Sequence, residues 1–202
     1  MRKKFLGNYL LLATRNRDKF KEIKEILGEN KWKLLSLEDF PETAEVIENG
    51  KTFSDNALKK ARAAFKATGI PSLADDSGLE VDCLSGAPGV LSSRFAGEKA
   101  TYRDNNEKLL SLMKDVPMER RRARFKCVVA LVDDKEEKWV EGVCEGIILS
   151  EYRGENGFGY DPLFFVPEKN KTFAEMTRRE KNEISHRGKA FRKMADLLRE
   201  DE

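Results

Sequence analysis

Four stretches of the 202-residue chain carry residue types and spacings suited to a charged, flat substrate. The first is Thr14-Arg15-Asn16-Arg17-Asp18-Lys19, where a short apolar run gives way to a helical pattern. A strand-to-helix junction offers unpaired backbone N–H groups and the positive end of the helix dipole, a natural seat for phosphate. Thr14 and Asn16 can add side-chain donors, and Lys19 a full positive charge. The GxxxxGKS/T pattern of a P-loop is absent; read alone, the stretch is an ordinary loop with an Asp cap.

The second is Asp75-Asp76-Ser77-Gly78, following the short apolar run 72–74. Adjacent carboxylates at a strand end point to opposite sides unless the backbone bends, and Gly78 permits a bend. Read alone, the stretch is a turn. A hard cation such as Mg2+ takes oxygen ligands, commonly from one or two carboxylates plus phosphate oxygens and water. Asp76 with a second acid is therefore the expected cation site. Glu48, ahead of Asn49-Gly50, is the candidate partner, with Glu42 and Glu45 as competitors. Lys59 or Lys60 would neutralise phosphate charge beside it.

The third stretch is Arg153-Gly154-Glu155-Asn156-Gly157-Phe158-Gly159-Tyr160-Asp161-Pro162. Its glycines permit a loop that lays an aromatic ring against something flat, and base–aromatic stacking contributes about 1–3 kcal/mol per base. The fourth is Lys181 followed by Ser185-His186-Arg187-Gly188, where an Arg beside a His at a helix start can donate to phosphate or to base carbonyls. A basic run, Arg120-Arg121-Arg122-Ala123-Arg124-Phe125-Lys126, enters a predicted strand. Alternation divides it between two faces, so it reads as a solvated edge.

The elements that must position these residues emerge from periodicity. Residues 9–13 read as a strand, and Phe20, Ile23, Ile26 and Leu27 recur at helical spacing up to Gly28. Leu34, Leu35 and Leu37 suggest a second strand, and 38–52 is acidic and irregular. Phe53, Ala57, Ala61, Ala64 and Phe65 share one face of a helix that stops at Gly69. The stretch 79–97 is glycine-punctuated and loop-rich, and 105–113 reads as a helix. Strands are predicted at 122–132 and 139–149, joined by a hairpin tip at 133–138, and again at 163–166. Ser185 is the expected N-cap of a last helix carrying Phe191, Met194, Ala195 and Leu198. Helices interleaved with strands and a hairpin give an α/β fold with a mixed sheet.

Composition removes other classes. Lys and Arg number 38 against 36 Asp and Glu, a net charge of +2 that argues against a general nucleic-acid binder. The single histidine excludes a two-His metal site within the chain. Cys83, Cys127 and Cys144 lack CxxC spacing and read as buried or half-buried thiols in a reducing compartment. Residues 1–4 resemble a signal n-region, but Gly7 and Asn8 interrupt the apolar residues after it. No apolar stretch approaches the ~18–20 residues of a membrane span. A soluble, cytoplasmic protein without nucleic-acid or membrane partners is expected.

Taken in order, the motifs resemble the inosine triphosphate pyrophosphatase family, the XTP/dITP diphosphatases. These are TxNxxK at 14–19, ADDSGL at 74–79, GAPGV at 86–90, GFGYDP at 157–162, TFAEM at 172–176 and EKNxISHR at 180–187. The resemblance implies a single domain over 1–202, with a long twisted mixed sheet and flanking helices forming two lobes around a central cleft, and a homodimer. It implies Mg2+-dependent hydrolysis of ITP, dITP and XTP to monophosphate and pyrophosphate. By position, Thr14, Arg15, Asn16, Arg17, Asp18 and Lys19 would bind triphosphate. Asp76 would be general base and, with Glu48, metal ligand. Lys60, Ser77, Phe158, Gly159, Tyr160, Asp161, Lys181, His186 and Arg187 would complete the nucleotide site. Alternatives are a pyrophosphatase for another modified nucleotide, or a non-catalytic nucleotide- or RNA-binding module using the run 120–126.

Overall fold

The structure, a computed structural model, describes residues 8–28 and 32–200. The charged opening at 1–4 lies outside the described residues. In chain order the elements are β1 (Tyr9–Leu12), α1 (Arg17–Leu27), β2 (Lys33–Ser36), α2 (Phe53–Thr68), β3 (Ser72–Val81) and α3 (Tyr102–Leu112). They continue as β4 (Arg122–Val132), β5 (Glu137–Ile148), β6 (Phe164–Val166), β7 (Lys171–Thr172), α4 (Arg178–Ile184) and α5 (His186–Glu200). The strands form one sheet in the order β2-β1-β3-β4-β5-β6-β7. It is mixed: β1 runs parallel to β2 and β3, while β6 is antiparallel to β5 and β7.

The chain divides into two compact units. The first comprises Met1–Asp76, Cys127–Gly142 and Arg187–Glu202. Alternate residues of its strands point one way, so Leu10, Leu12, Leu73, Cys127, Val129 and Leu131 join one core cluster. Ile23 from α1 and Ala190, Phe191 and Met194 from α5 pack on it at helical spacing. The second unit comprises Ser77–Lys126 and Val143–His186. Its core gathers Leu79, Val81, Leu109, Phe125, Phe164 and Phe173. The Phe125 and Phe164 ring centroids are 4.7 Å apart at 58°. Fully burying one such side chain contributes about 1.5–3 kcal/mol, so each unit has an aromatic or aliphatic centre able to hold its loops.

The helix ends have local causes. Thr52 Oγ1 accepts from the Asp55 N–H at 3.1 Å while Asp55 Oδ2 accepts from the Thr52 N–H at 3.0 Å, a reciprocal cap that starts α2. Gly69 ends it at φ 71°, a left-handed conformation that costs glycine little. Asn16, rather than an aspartate, caps α1, accepting from the N–H groups of Asp18 and Lys19 at 2.9 and 3.1 Å.

Several elements differ from the sequence expectation. Asp75-Asp76-Ser77-Gly78 is no turn: β3 runs through it from Ser72 to Val81. The strand pairs with β1 through Ser72 and Leu73 and has β4 as its other hydrogen-bonded neighbour, so it runs on extended past the end of β1. Helix α3 begins at Tyr102, three residues before Asn105, because Thr101 and Asp104 cap each other. The hairpin tip is shorter than 133–138: Asp133 N–H donates to Glu136 O, and β5 starts at Glu137. Helix α4 has no counterpart in the periodicity; Ser185, its C-cap, donates its N–H to Lys181 O at 2.8 Å and also stands immediately before α5, the position expected of that helix's N-cap. The run 120–126 is not a sheet edge, since β4 has neighbours on both sides. Cys127 and Cys144 are buried and Cys83 is half-buried, as expected.

Candidate active site

In the first unit, β3 turns its two acids to opposite faces. Asp75 Oδ2 lies 3.1 Å from Lys19 Nζ and 3.4 Å from Arg187 Nε. Arg187 also pairs with Glu22, the two being held from α5 and α1. Burial pushes the Asp75 carboxyl upward, but Lys19, Arg187 and Lys60 outweigh it and hold the group well below the usual carboxylate range. Asp75 thus sits at the strand-to-helix junction as the shared partner of Lys19 and Arg187.

Asp76 faces α2. Its Oδ1 lies 3.2 Å from Lys60 Nζ, and its Oδ2 accepts from Asn56 Nδ2 at 3.1 Å. The same Lys60 ammonium lies 2.8 Å from Glu48 Oε1. One cation thus bridges the two acids expected to hold a metal. Burial would lower the Lys60 affinity for its proton, but Asp76, Glu48 and Asp75 raise it overall. For Asp76, burial dominates and its carboxyl is raised, with Lys60 and Lys19 opposing and Glu48 reinforcing. A carboxylate with raised proton affinity is a better base than an exposed one.

Among the described residues, no group of three or more His, Cys, Asp or Glu side chains is placed to cage a metal ion. Two carboxylates sharing one cation are nonetheless what Mg2+ uses when phosphate and water complete its shell. The donor set fits: the acids are all-oxygen, and Lys60 already occupies the place of a shared positive charge. Glu48, and neither Glu42 nor Glu45, is the acid whose carboxylate shares Lys60 with Asp76.

The loop 14–19 is divided. Thr14 Oγ1 accepts from the Asn16 N–H at 3.1 Å, a role that leaves its hydroxyl proton for another acceptor. Lys19 joins the Asp75 cluster. Arg15 and Arg17 do not: Arg15 donates to Thr43 O at 2.6 Å and Arg17 to Glu38 at 2.9 Å, both exposed. Asp18 is exposed in the first turn of α1. A cavity of about 340 Å³ opens beside this loop, lined by Thr14, Arg15, Asn16, Arg17 and Lys21 among others.

In the second unit the loop after β5 is built around Asp161. Its Oδ2 accepts from the Phe158 N–H at 2.9 Å and from Lys181 Nζ at 2.7 Å. Gly157, at φ +76°, has no room for a side chain, because a Cβ would strike the Asp161 carboxylate. Lys181 Nζ also stands 4.9 Å from the Phe158 ring centroid. Helix α3 supports the loop: Asn106 Nδ2 donates to Gly159 O at 3.0 Å, and Tyr102 packs on Phe158 with centroids 5.8 Å apart. Tyr160 is buried, its hydroxyl donating to Ser92 O at 2.9 Å. Ser77, half-buried, comes directly after Asp76 along β3.

His186 is buried and stacked on Phe125, with centroids 4.6 Å apart and planes at 10°. Its chain neighbour Arg187 belongs to the other cluster, with Glu22 and Asp75. Sequence reasoning misses Glu22, Asn56, Tyr102 and Asn106. Asn56 does leave a signal, a polar residue on the apolar face of α2 beside Phe53, Ala57 and Ala61. The run 120–126 is divided: Arg121 is buried against backbone carbonyls of Met113 and Val116, Arg124 is paired with Glu80 and Asp82, and Arg120 and Arg122 are exposed. Among the described residues, no helix is long and apolar enough to cross a membrane.

Fold and site together define an α/β protein built to manage concentrated negative charge beside a cation. Residues 10–197 match the model of the Ham1 family, and the chain belongs to that family. It is 54% identical over 190 residues to the dITP/XTP pyrophosphatase of Desulforamulus reducens, covering 94% of each chain. It is 52% identical over 190 residues to the dITP/XTP pyrophosphatase of Geobacter sulfurreducens, covering 94% of this chain and 96% of that one. The solved structure of a HAM1 protein from Coxiella burnetii superposes with a TM-score of 0.87 at 43% identity, covering 95% of this chain and 98% of that one.

Proposed function

We propose that this protein is a hydrolase of nucleoside triphosphates that converts dITP, XTP and ITP to the monophosphate and pyrophosphate. The observation that carries the reading is the bridge from Lys60 Nζ to Glu48 and Asp76, in a chain half identical to proteins named for this activity. Glu48 and Asp76 would hold Mg2+, whose role is to neutralise charge on the phosphate oxygens. We read the two units as parts of one domain, acting as a cytoplasmic homodimer.

The residues supply the rest of the chemistry. Lys19, fixed by Asp75, and Lys60 neutralise the polyphosphate, while Thr14 and Asn16 add hydrogen bonds. Asp76, its proton affinity raised by burial, orients the attacking water and accepts its proton. The water oxygen bonds to the α-phosphorus, the bond from that phosphorus to the α–β bridging oxygen breaks, and pyrophosphate leaves with the electron pair. For the purine, Phe158 would offer a ring face, and Lys181, held by Asp161, a donor for a 6-oxo group. A 6-amino group would meet that donor with another donor, and an unmet buried polar group costs about 1–3 kcal/mol.

Turnover of dITP, XTP, ITP, ATP, GTP and dUTP with Mg2+ tests this. The expected result is monophosphate and pyrophosphate from the first three, with ATP at least about tenfold slower, the scale of one unmet polar group. Diphosphate plus phosphate, or ATP turned over equally fast, would contradict it.

A further inference from the structure

We propose that Asn56 is a positioning residue whose carboxamide ties the turn carrying Glu48 to Asp76, setting the separation of the two acids. The proposal rests on the reading that these acids hold Mg2+.

Glu48 sits on an irregular segment, while Asp76 sits on a strand. Something must keep a loop carboxylate in register with a strand carboxylate, and Lys60 alone, at the end of a flexible stem, fixes little. Asn56 is fully buried on α2 between them. Its Oδ1 accepts from the Gly50 N–H at 2.8 Å, and its Nδ2 donates to Asp76 Oδ2 at 3.1 Å. Both contacts require this orientation, since a flipped amide would set donor against donor and oxygen against carboxylate. The turn is pinned on its other flank as well: Lys59 Nζ lies 2.7 Å from both Ile47 O and Asn49 Oδ1. Glu48 is thus clamped on both sides.

The fit is close at Gly50. A Cβ there would lie 2.6 Å from Asn56 Oδ1 and 2.7 Å from Asp55 Cβ, so any side chain forces the turn and the amide apart. Asparagine is also a poor choice for a buried helix position on propensity alone. Its two directed bonds explain why it stands among alanines.

The test uses the full chain and two variants, Asn56→Leu, which keeps the branched heavy-atom shape but loses both bonds, and Gly50→Ala, which spreads the turn from a half-buried position. Mn2+ affinity without nucleotide is read by electron paramagnetic resonance, and kcat, KM and the Mg2+ requirement are read with dITP. Residues supporting metal ligands typically change affinity or activity about 10–100-fold when lost. Both variants are expected to remain folded by circular dichroism, bind Mn2+ more weakly on that scale, and lose kcat more than KM. Should Asn56→Leu fail to fold, Gly50→Ala decides. Folded variants with native Mn2+ affinity and native kcat overturn the role of Asn56. A wild-type enzyme whose turnover needs no divalent cation overturns the underlying metal reading instead.

Discussion

Asp75 and Asp76 are neighbours on β3, yet their carboxylates contact different cations: Asp75 meets Lys19 and Arg187, Asp76 meets Lys60. An extended backbone alternates its side chains; on the proposed reading that alternation separates an acid that builds the site, Asp75, from one that does the chemistry, Asp76. Substituting the two should therefore give opposite profiles. Asp76→Asn should fold normally and lose turnover by at least about 100-fold, the usual scale for removing a general base. Asp75→Asn should lose stability, because the half-buried Lys19 loses its partner and the buried Arg187 keeps only Glu22; breaking a buried pair outright costs about 3–5 kcal/mol, an upper bound for the loss here. Thermal denaturation beside dITP turnover checks both. Equal stabilities, or an active Asp76→Asn, would contradict the division.

At the other cluster, Asp161 holds Lys181 Nζ at 2.7 Å and the Phe158 N–H at 2.9 Å. Lys181→Met should raise KM for dITP by about tenfold, one charge-assisted hydrogen bond, and narrow the preference for dITP over dATP. The ratio of kcat/KM for the two nucleotides is the measurement. An unchanged ratio would remove Lys181 from base recognition.

Glu180 reports on α4, the helix that carries Lys181. Hydrogen bonds from Lys171 and from Thr177 hold its carboxyl down at about 2, against an ordinary 4.5. A lowered folded value means the stabilisation is present above the ordinary value and is lost as pH falls through the folded one. Glu180→Gln should therefore melt below the wild type at neutral pH, with the gap closing as pH falls from 4.5 to about 2. Melting temperatures across that range test it; a gap independent of pH would show that Glu180 makes no charge-dependent contribution.

Much of the fold and of the site is legible in the chain, and the exceptions have physical causes. The stripe of Phe53, Ala57, Ala61 and Ala64 locates α2 because its period is the helix period. The middle of β3 reads as a turn because Asp and Gly are weak strand formers; its place in the sheet beside β4 and ion pairs on both faces override that propensity. Helix α4 escapes notice because seven mostly polar residues give no apolar period. The pairing of Glu22 with Arg187 joins residues 165 apart, and no local pattern encodes it. Glu48 is separable from Glu42 and Glu45 by motif position, but its sharing of Lys60 requires coordinates.

Hydrolysis of dITP in heavy-oxygen water tests the central claim most directly. Attack at the α-phosphorus by water beside Asp76 places the label in the monophosphate and leaves pyrophosphate unlabelled. Label in pyrophosphate, or in free phosphate released with a diphosphate, would contradict the account.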